Sequence, residues 1–242
     1  MKKSFLLIAL AAAVLAPCAM ADNLTVVNTQ PMEGNFYLSV DHISGSGLAY
    51  VEDRTPTDEK TFRSEFLFRM TDLQYPGTPV NIRQPIFVAF GNNPNPGVGA
   101  CSQLAFVEVY RIFLYQLFGG QRPGIQAWAR GNQCGPSNSG VPFLIDNGPM
   151  GLDLNGNGIV RICSTVTVGA GPGQQGNMSI GVIDETSGCG QAVYQDRALT
   201  NDRQDGVTIA RMATAQQNQF GAGETGTFDF DSYASFRTEL AP

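Results

Sequence analysis

Two acidic side chains near the end of the chain have a spacing that suits carbohydrate chemistry. Asp229 and Asp231 stand two residues apart in residues 227–237, where apolar and polar side chains alternate. Such alternation predicts a β-strand, in which residues i and i+2 share one face about 6–7 Å apart. Two carboxylates roughly 5–10 Å apart can hydrolyse a glycosidic bond, and with Tyr233 they would form a polar stripe suited to a sugar. The alternative interpretation is a solvated outer face carrying a local charge pair.

The only tryptophan of the chain is a second candidate for sugar binding. Trp128 lies in residues 125–130, and alternation places it on the more polar face with Gln126 and Arg130. An exposed indole ring offers a flat apolar surface on which a sugar can stack. The alternative is a tryptophan on a sheet face that is covered by arginine or tyrosine side chains.

Residues 153–160 carry oxygen-bearing side chains at alternate positions. Asp153, Asn155 and Asn157, followed by Gly158, resemble the first half of a calcium loop of the EF-hand or dockerin type. Ser164 stands at the twelfth position, where those loops have an acidic ligand. The alternative is an Asn-Gly hairpin turn. Calcium is therefore the one cofactor that the sequence suggests, and otherwise we expect none.

The chain has few residues that could carry out nucleophilic catalysis. His42 is the only histidine, so any Ser-His-Asp or Cys-His machinery would have to use it, and no G-x-S-x-G sequence is present. We assign no catalytic residue and expect a protein that is not an enzyme.

Four cysteines, Cys101, Cys134, Cys163 and Cys189, remain when Cys18 of the N-terminal segment is set aside. An even number in an exported chain predicts two disulfides. Pairing of nearest neighbours, Cys101–Cys134 and Cys163–Cys189, is the simplest arrangement, although three connectivities exist. Each bond would add roughly 3–4 kcal/mol in the chain-entropy model. A zinc site is the alternative, but the chain has no CxxC pair.

Residues 1–21 have the layout of a secretory signal peptide. Lys2 and Lys3 precede an apolar run, and Ala19-Met20-Ala21 forms a small-x-small cleavage site before Asp22. Cleavage and lipidation at Cys18 is the alternative, although Pro17 stands where a small residue is expected. We expect export to the periplasm, the outer surface or the medium, with no transmembrane segment after removal of the signal.

The excess of acidic over basic residues limits the classes of partner that the chain is expected to bind. The chain has 15 basic and 21 acidic residues, and Lys2 and Lys3 belong to the signal segment. An acidic surface disfavours nucleic acids and anionic membranes and is compatible with calcium or neutral ligands.

Period-two alternation is the dominant pattern in the chain. Within residues 61–70, Phe62, Phe66, Phe68 and Met70 share one face with Ser64, and residues 160–168 and 227–237 repeat the pattern. Residues 104–118, apolar on both faces, predict a long central strand, with a helix as the alternative. We expect an all-β protein: an antiparallel β-sandwich or jelly-roll-like domain with two disulfides. Residues 22–242 form a single domain, or two β modules divided near 131–140.

These features favour a secreted or surface-exposed binding or structural protein, adhesin-like or an assembly subunit. Its partners would be proteins or glycans at a cell surface, or other copies of the chain, because the apolar strand 104–118 could pair between chains if it lay at a sheet edge. The alternative is a secreted carbohydrate-binding or carbohydrate-active protein that uses Asp229, Asp231, Trp128 and, with calcium, Asp153.

Overall fold

The computed structural model describes residues 22–43, 47–71, 82–92, 106–116, 124–129, 141–145, 158–169, 176–198, 206–214 and 225–236. Several predictions from the sequence concern residues outside these ranges: the signal segment with Cys18, the calcium candidates Asp153, Asn155 and Asn157, the cysteines Cys101 and Cys134, and the division near 131–140. They stay predictions.

The described chain is built almost entirely of β-strands. The strands are Asn23–Val27 (β1), Tyr37–Ile43 (β2), Ala49–Asp53 (β3), Thr61–Met70 (β4), Ile82–Asn92 (β5), Phe106–Gln116 (β6), Gly124–Ala129 (β7), Val141–Ile145 (β8), Ile159–Thr167 (β9), Asn177–Asp184 (β10), Gln195–Ala198 (β11), Ile209–Thr214 (β12) and Thr225–Phe236 (β13). Within the described ranges the helical content is one 3-10 turn, Cys189–Gln191. No helix in the described part of the chain has the length and apolar character needed to cross a membrane.

The strands form two antiparallel sheets, which confirms the predicted β-sandwich. The seven-stranded sheet has the order β1-β2-β13-β4-β9-β10-β11, and the six-stranded sheet has the order β3-β12-β5-β6-β7-β8. The long strand predicted within residues 104–118 is confirmed as β6. It pairs with β5 on one side and β7 on the other, so the expectation that it could pair between chains at a sheet edge is wrong.

The core lies between the two sheets and is rich in phenylalanine. Alternate residues of β4 face inward as predicted, and Phe62, Ser64, Phe66, Phe68 and Met70 are all buried. Phe66 stacks on Phe87 of the opposite sheet at 5.6 Å between ring centroids. Burial of each such ring contributes about 1.5–3 kcal/mol. The one polar inward residue of β4 is satisfied, since the Ser64 hydroxyl lies 3.0 Å from the Tyr110 hydroxyl.

A β-bulge in β13 makes the predicted outer position of Tyr233 wrong. The register between β13 and β4 shifts between Asp231 and Ala234, and Ser232 adopts a φ of 50°. The extra residue reverses the alternation beyond it. Tyr233 therefore does not share the outer face with Asp229 and Asp231, as the pattern predicts. It points into the core, where its ring lies 6.2 Å from that of Phe87.

Beyond the bulge, β13 makes a polar contact with the edge strand β3. The Asp53 carboxylate accepts hydrogen bonds from the hydroxyls of Ser235, at 3.0 Å, and Tyr233, at 3.3 Å, and from the backbone and hydroxyl of Thr55. Burial by itself raises the pKa of the Asp53 carboxyl, but these hydrogen bonds outweigh burial and hold the pKa below its usual range.

Residues 185–194, here called the flap, pack on the seven-stranded sheet. A disulfide and a close contact at a glycine hold them there. The predicted bond between Cys163 and Cys189 is present; it is the one disulfide that the described residues show. Gly181 lies opposite Cys163 in the register of β9 and β10. A Cβ at Gly181 would come within 2.8 Å of the Ala192 Cβ, so only glycine allows this approach.

We predict that Asp53→Asn lowers the free energy of unfolding by roughly 1–3 kcal/mol near neutral pH, because the neutral amide accepts these hydrogen bonds less well. A depressed folded pKa gives stability that is complete above the unfolded value of about 3.9 and is lost as the pH falls through the folded value. The difference from the wild type should therefore shrink in acid, measured by urea denaturation. Asp41→Asn, at an exposed position of β2, is the matched control. Equal effects of the two variants, or a loss independent of pH, would contradict the assignment.

We also predict that the double variant Cys163→Ala/Cys189→Ala loses roughly 3–4 kcal/mol of unfolding free energy, since the bond closes a loop with a sequence separation of 26. Guanidinium denaturation of both proteins without reductant measures the loss. A variant as stable as the wild type would show that the flap is held by its other contacts.

Candidate functional site

The predicted carboxylate pair lies on the outer face of the seven-stranded sheet, and each carboxylate accepts hydrogen bonds from within the protein. Asp229 is only 1% exposed, and its Oδ2 accepts hydrogen bonds from Arg69 Nε at 3.0 Å and from the Thr71 hydroxyl. Asp231 Oδ2 accepts a hydrogen bond from the Glu33 backbone at 2.8 Å. Asp229 therefore lies in a buried ion pair with Arg69.

Trp128 lies on the other sheet, in β7. Its cross-strand partner is Arg111, whose guanidinium lies 4.6 Å from the Trp128 ring and 4.6 Å from the Phe113 ring. This packing is the covered arrangement that the sequence left as an alternative. The four predicted ligand-binding residues therefore lie in three places: Trp128 on the six-stranded sheet, Asp229 and Asp231 on the outer face of the seven-stranded sheet, and Tyr233 in the core. They do not line one site.

The remaining candidates for chemistry lie elsewhere. His42 is buried on the inner side of β2, with Nδ1 2.7 Å from an Asp22 carboxylate oxygen. Among the residues that the structure describes, no three His, Cys, Asp or Glu side chains come together as a metal site. The calcium loop at Asp153 stays a prediction.

A groove of about 620 Å³ lies on the outer face of the seven-stranded sheet. Its floor includes one residue from each of five adjacent strands. Each of these residues is the cross-strand partner of the next, so all five lie on the outer face of the sheet. This transverse row, in spatial order, consists of Phe236, Arg63, Thr165, Ser179 and Asp196. Strands are about 4.8 Å apart, so the row is about 19 Å long and runs across the strands.

The flap forms one wall of the groove. Glu65, Cys163 and Gly181 form a second row, which lies two residues along their strands from the transverse row. The Cys163–Cys189 disulfide and the contact with Gly181 hold the flap against this second row. Tyr194, at the end of the flap, lines the groove, and its hydroxyl donates a hydrogen bond to the Cys189 carbonyl at 3.0 Å. Burial raises the pKa of the Tyr194 phenol, and Glu65 raises it further against the opposing effect of Arg63. The phenol is therefore neutral near pH 7, and because its one proton is donated to Cys189, its oxygen can accept a hydrogen bond from a ligand.

The charged groups of the groove differ in how far they are satisfied. Glu65 faces Arg161 at 3.7 Å, and Asp196 accepts a hydrogen bond from the Ser179 hydroxyl. Arg63 has no ion pair with any described residue, and its Nε is buried without a hydrogen-bond partner. The lining of the groove thus offers a guanidinium, hydroxyls, carboxylates and two aromatic rings. Its size is typical of ligand-binding sites, and aromatic walls with a few polar groups are their usual composition.

The sequence did not predict this groove. Its floor joins residues from β4, β9, β10, β11 and β13, so no local pattern contains it. Alternation did predict that Arg63 and Glu65 leave the core face of β4, and the nearest-neighbour cysteine pairing placed Cys189 next to Cys163. The bulge that turns Phe236 outward has no signal in the alternation.

No protein-family model and no curated protein sequence matches this chain. Solved structures with the same fold do match. The endo-β-1,4-glucuronan lyase from the fungus Trichoderma reesei aligns with a TM-score of 0.57 and 13% identity, covering 90% of this chain and 87% of the lyase.

Two alginate lyases are similar at the same level. The marine PL-14 alginate lyase from Aplysia kurodai aligns with a TM-score of 0.52 and 11% identity over 89% of this chain and 87% of that chain. The alginate lyase vAL-1 from Chlorella virus aligns with a TM-score of 0.51 and 10% identity over 90% of each chain. At these identities the likeness is one of fold, and it extends over nearly the whole chain.

Proposed function

We propose that this protein binds polysaccharide in the groove on the outer face of its seven-stranded sheet. The observation that carries the proposal is the transverse row, which places two hydroxyls, a guanidinium, a carboxylate and an aromatic ring along about 19 Å of sheet. A linear ligand with repeated hydroxyls and apolar ring faces is complementary to such a line. The fold shared with lyases named for glucuronan and alginate adds support.

Of the two functions expected from the sequence, the carbohydrate one has the better support. Self-association through an apolar edge strand was one argument for the adhesin-like or assembly role, and β6 lies inside its sheet. The site, however, is not the one predicted, since it uses Arg63, Thr165, Ser179 and Tyr194 rather than Asp229 and Trp128. Export, as the signal peptide predicts, fits the Cys163–Cys189 disulfide, because such bonds persist in oxidising compartments.

The two aromatic rings should contribute most of the contact area to a bound sugar. Phe236 ends the transverse row, and Tyr194 stands at the flap wall. Sugars bind proteins through hydrogen bonds from their hydroxyls and through contact of their C–H faces with aromatic rings. Binding energy at such sites is concentrated in a few aromatic and arginine side chains.

We predict that Tyr194→Ala and Phe236→Ala each weaken binding of oligosaccharides from glucuronan, alginate or cellulose by roughly 5- to 30-fold, equivalent to about 1–2 kcal/mol. Isothermal titration calorimetry on the mature protein measures this loss. Phe36→Ala is the matched control, because Phe36 is 59% exposed and does not line the groove.

Equal melting temperatures of Phe236→Ala and Phe36→Ala would show that the loss comes from the site rather than from the fold. Absence of binding to all three oligosaccharides, or affinities that the groove variants leave unchanged, would contradict the proposed function.

A further inference from the structure

We propose that Arg63 binds the carboxylate of an acidic sugar, so that the groove is selective for a glycan with a uronate at this position. The inference rests on the proposed function and adds the class of ligand.

Arg63 stands out in the charge pairing of the protein. The other described basic side chains all have a carboxylate within ion-pair distance: Arg54, Lys60, Arg69, Arg111, Arg161 and Arg211. Arg63 has none among the side chains that the structure describes. A guanidinium that lines a groove and has no carboxylate partner among the described residues can bind an anion, although the chain as a whole is acidic.

The guanidinium is also partly withdrawn from water. Its Nε is closed to solvent and has no hydrogen-bond partner among the described residues. A carboxylate in the groove would therefore be bound by the two terminal nitrogens of the Arg63 guanidinium. A carboxylate can accept hydrogen bonds from two guanidinium nitrogens at once, whereas a sugar hydroxyl offers a single, uncharged oxygen.

The neighbours of Arg63 indicate how the sugar would lie. Thr165 is its register partner in β9, and Phe236 is its register partner in β13. A pyranose carboxylate on Arg63 would then have a hydroxyl donor on one side and an apolar ring on the other, each about 4.8 Å away.

The opposite end of the row does not favour a second anion. Asp196 lies three strand spacings from Arg63, about 14 Å away. Its carboxylate, together with the Ser179 hydroxyl that it holds, is suited to neutral hydroxyls. The groove therefore selects one acidic residue at a defined position, and binding should show the weak salt dependence of one ion pair.

The test uses two oligosaccharides that differ at the carboxylate alone. A β-1,4-linked oligoglucuronate and a cello-oligosaccharide of equal length have the same backbone, with a carboxylate replacing a hydroxymethyl group. We expect the wild type to bind the oligoglucuronate roughly tenfold more tightly or better, as for a charge-assisted hydrogen bond. Arg63→Gln should remove this preference while retaining binding of the cello-oligosaccharide.

Arg54→Gln is the control, because it removes the same charge at an exposed position outside the groove. It should leave the preference unchanged, and Arg63→Lys should retain part of it. Melting temperatures of all variants establish that they fold.

Equal affinity of the wild type for the two oligosaccharides, or a preference that survives Arg63→Gln, would overturn the inference and leave the proposed function standing. No binding of either oligosaccharide would overturn the inference, and absence of binding to the alginate oligosaccharide as well would overturn the proposed function.

Discussion

The antiparallel register of β4 between β13 and β9 is the constraint on which the rest of the structure depends. Successive side chains of β4 serve the two faces of the sheet in turn: Phe62, Phe66 and Phe68 fill the core, and Arg63 and Glu65 line the groove. A slip of one residue would put the charges into the core and the rings into water. The apolar core therefore fixes the position of the site, because the burial of phenylalanine holds the register that aligns the transverse row.

Two irregularities adapt this regular sheet to a groove. The bulge at Ser232 reverses the alternation of β13, so that Tyr233 enters the core and Phe236 emerges next to Arg63. The close contact at Gly181 and the Cys163–Cys189 bond hold the flap against the sheet, next to the transverse row. Without the bulge, continuation of the register from Asp231 and Leu67 would place Ser235 rather than Phe236 opposite Arg63. Without the flap the floor would be an open sheet face. Both features shape the site without contributing to its chemistry.

The alternation in the sequence was enough to predict the β-sandwich and the buried face of β4, because these follow from local periodicity. The central position of β6 was predicted instead from the apolar character of both its faces. Neighbour pairing was enough to predict Cys163–Cys189. The bulge could not be predicted, since Ser232 is neither glycine nor asparagine and the residues around it alternate on either assignment. The burial of Asp229 depends on Arg69 and Thr71, about 160 positions earlier, and no local pattern records such a partnership.

The same limit explains why Trp128 and the aspartates were expected in one site. Each has the residue type that binds sugars, but the contacts with Arg111, Arg69 and Glu33 come from distant parts of the chain. The groove, by contrast, is made of residues with ordinary surface composition, and only the register of five strands brings them into line. A candidate site in a β-sandwich is a property of its register more than of its residue types.

The most direct test of this account is the mapping of bound oligoglucuronate by amide chemical shifts of the mature protein. The account predicts shift changes concentrated at Arg63, Thr165, Ser179 and the flap around Tyr194, with the indole signal of Trp128 unchanged. Changes centred on Trp128 and the strands β6 and β7, with the transverse row unaffected, would contradict it and assign ligand binding to the six-stranded sheet.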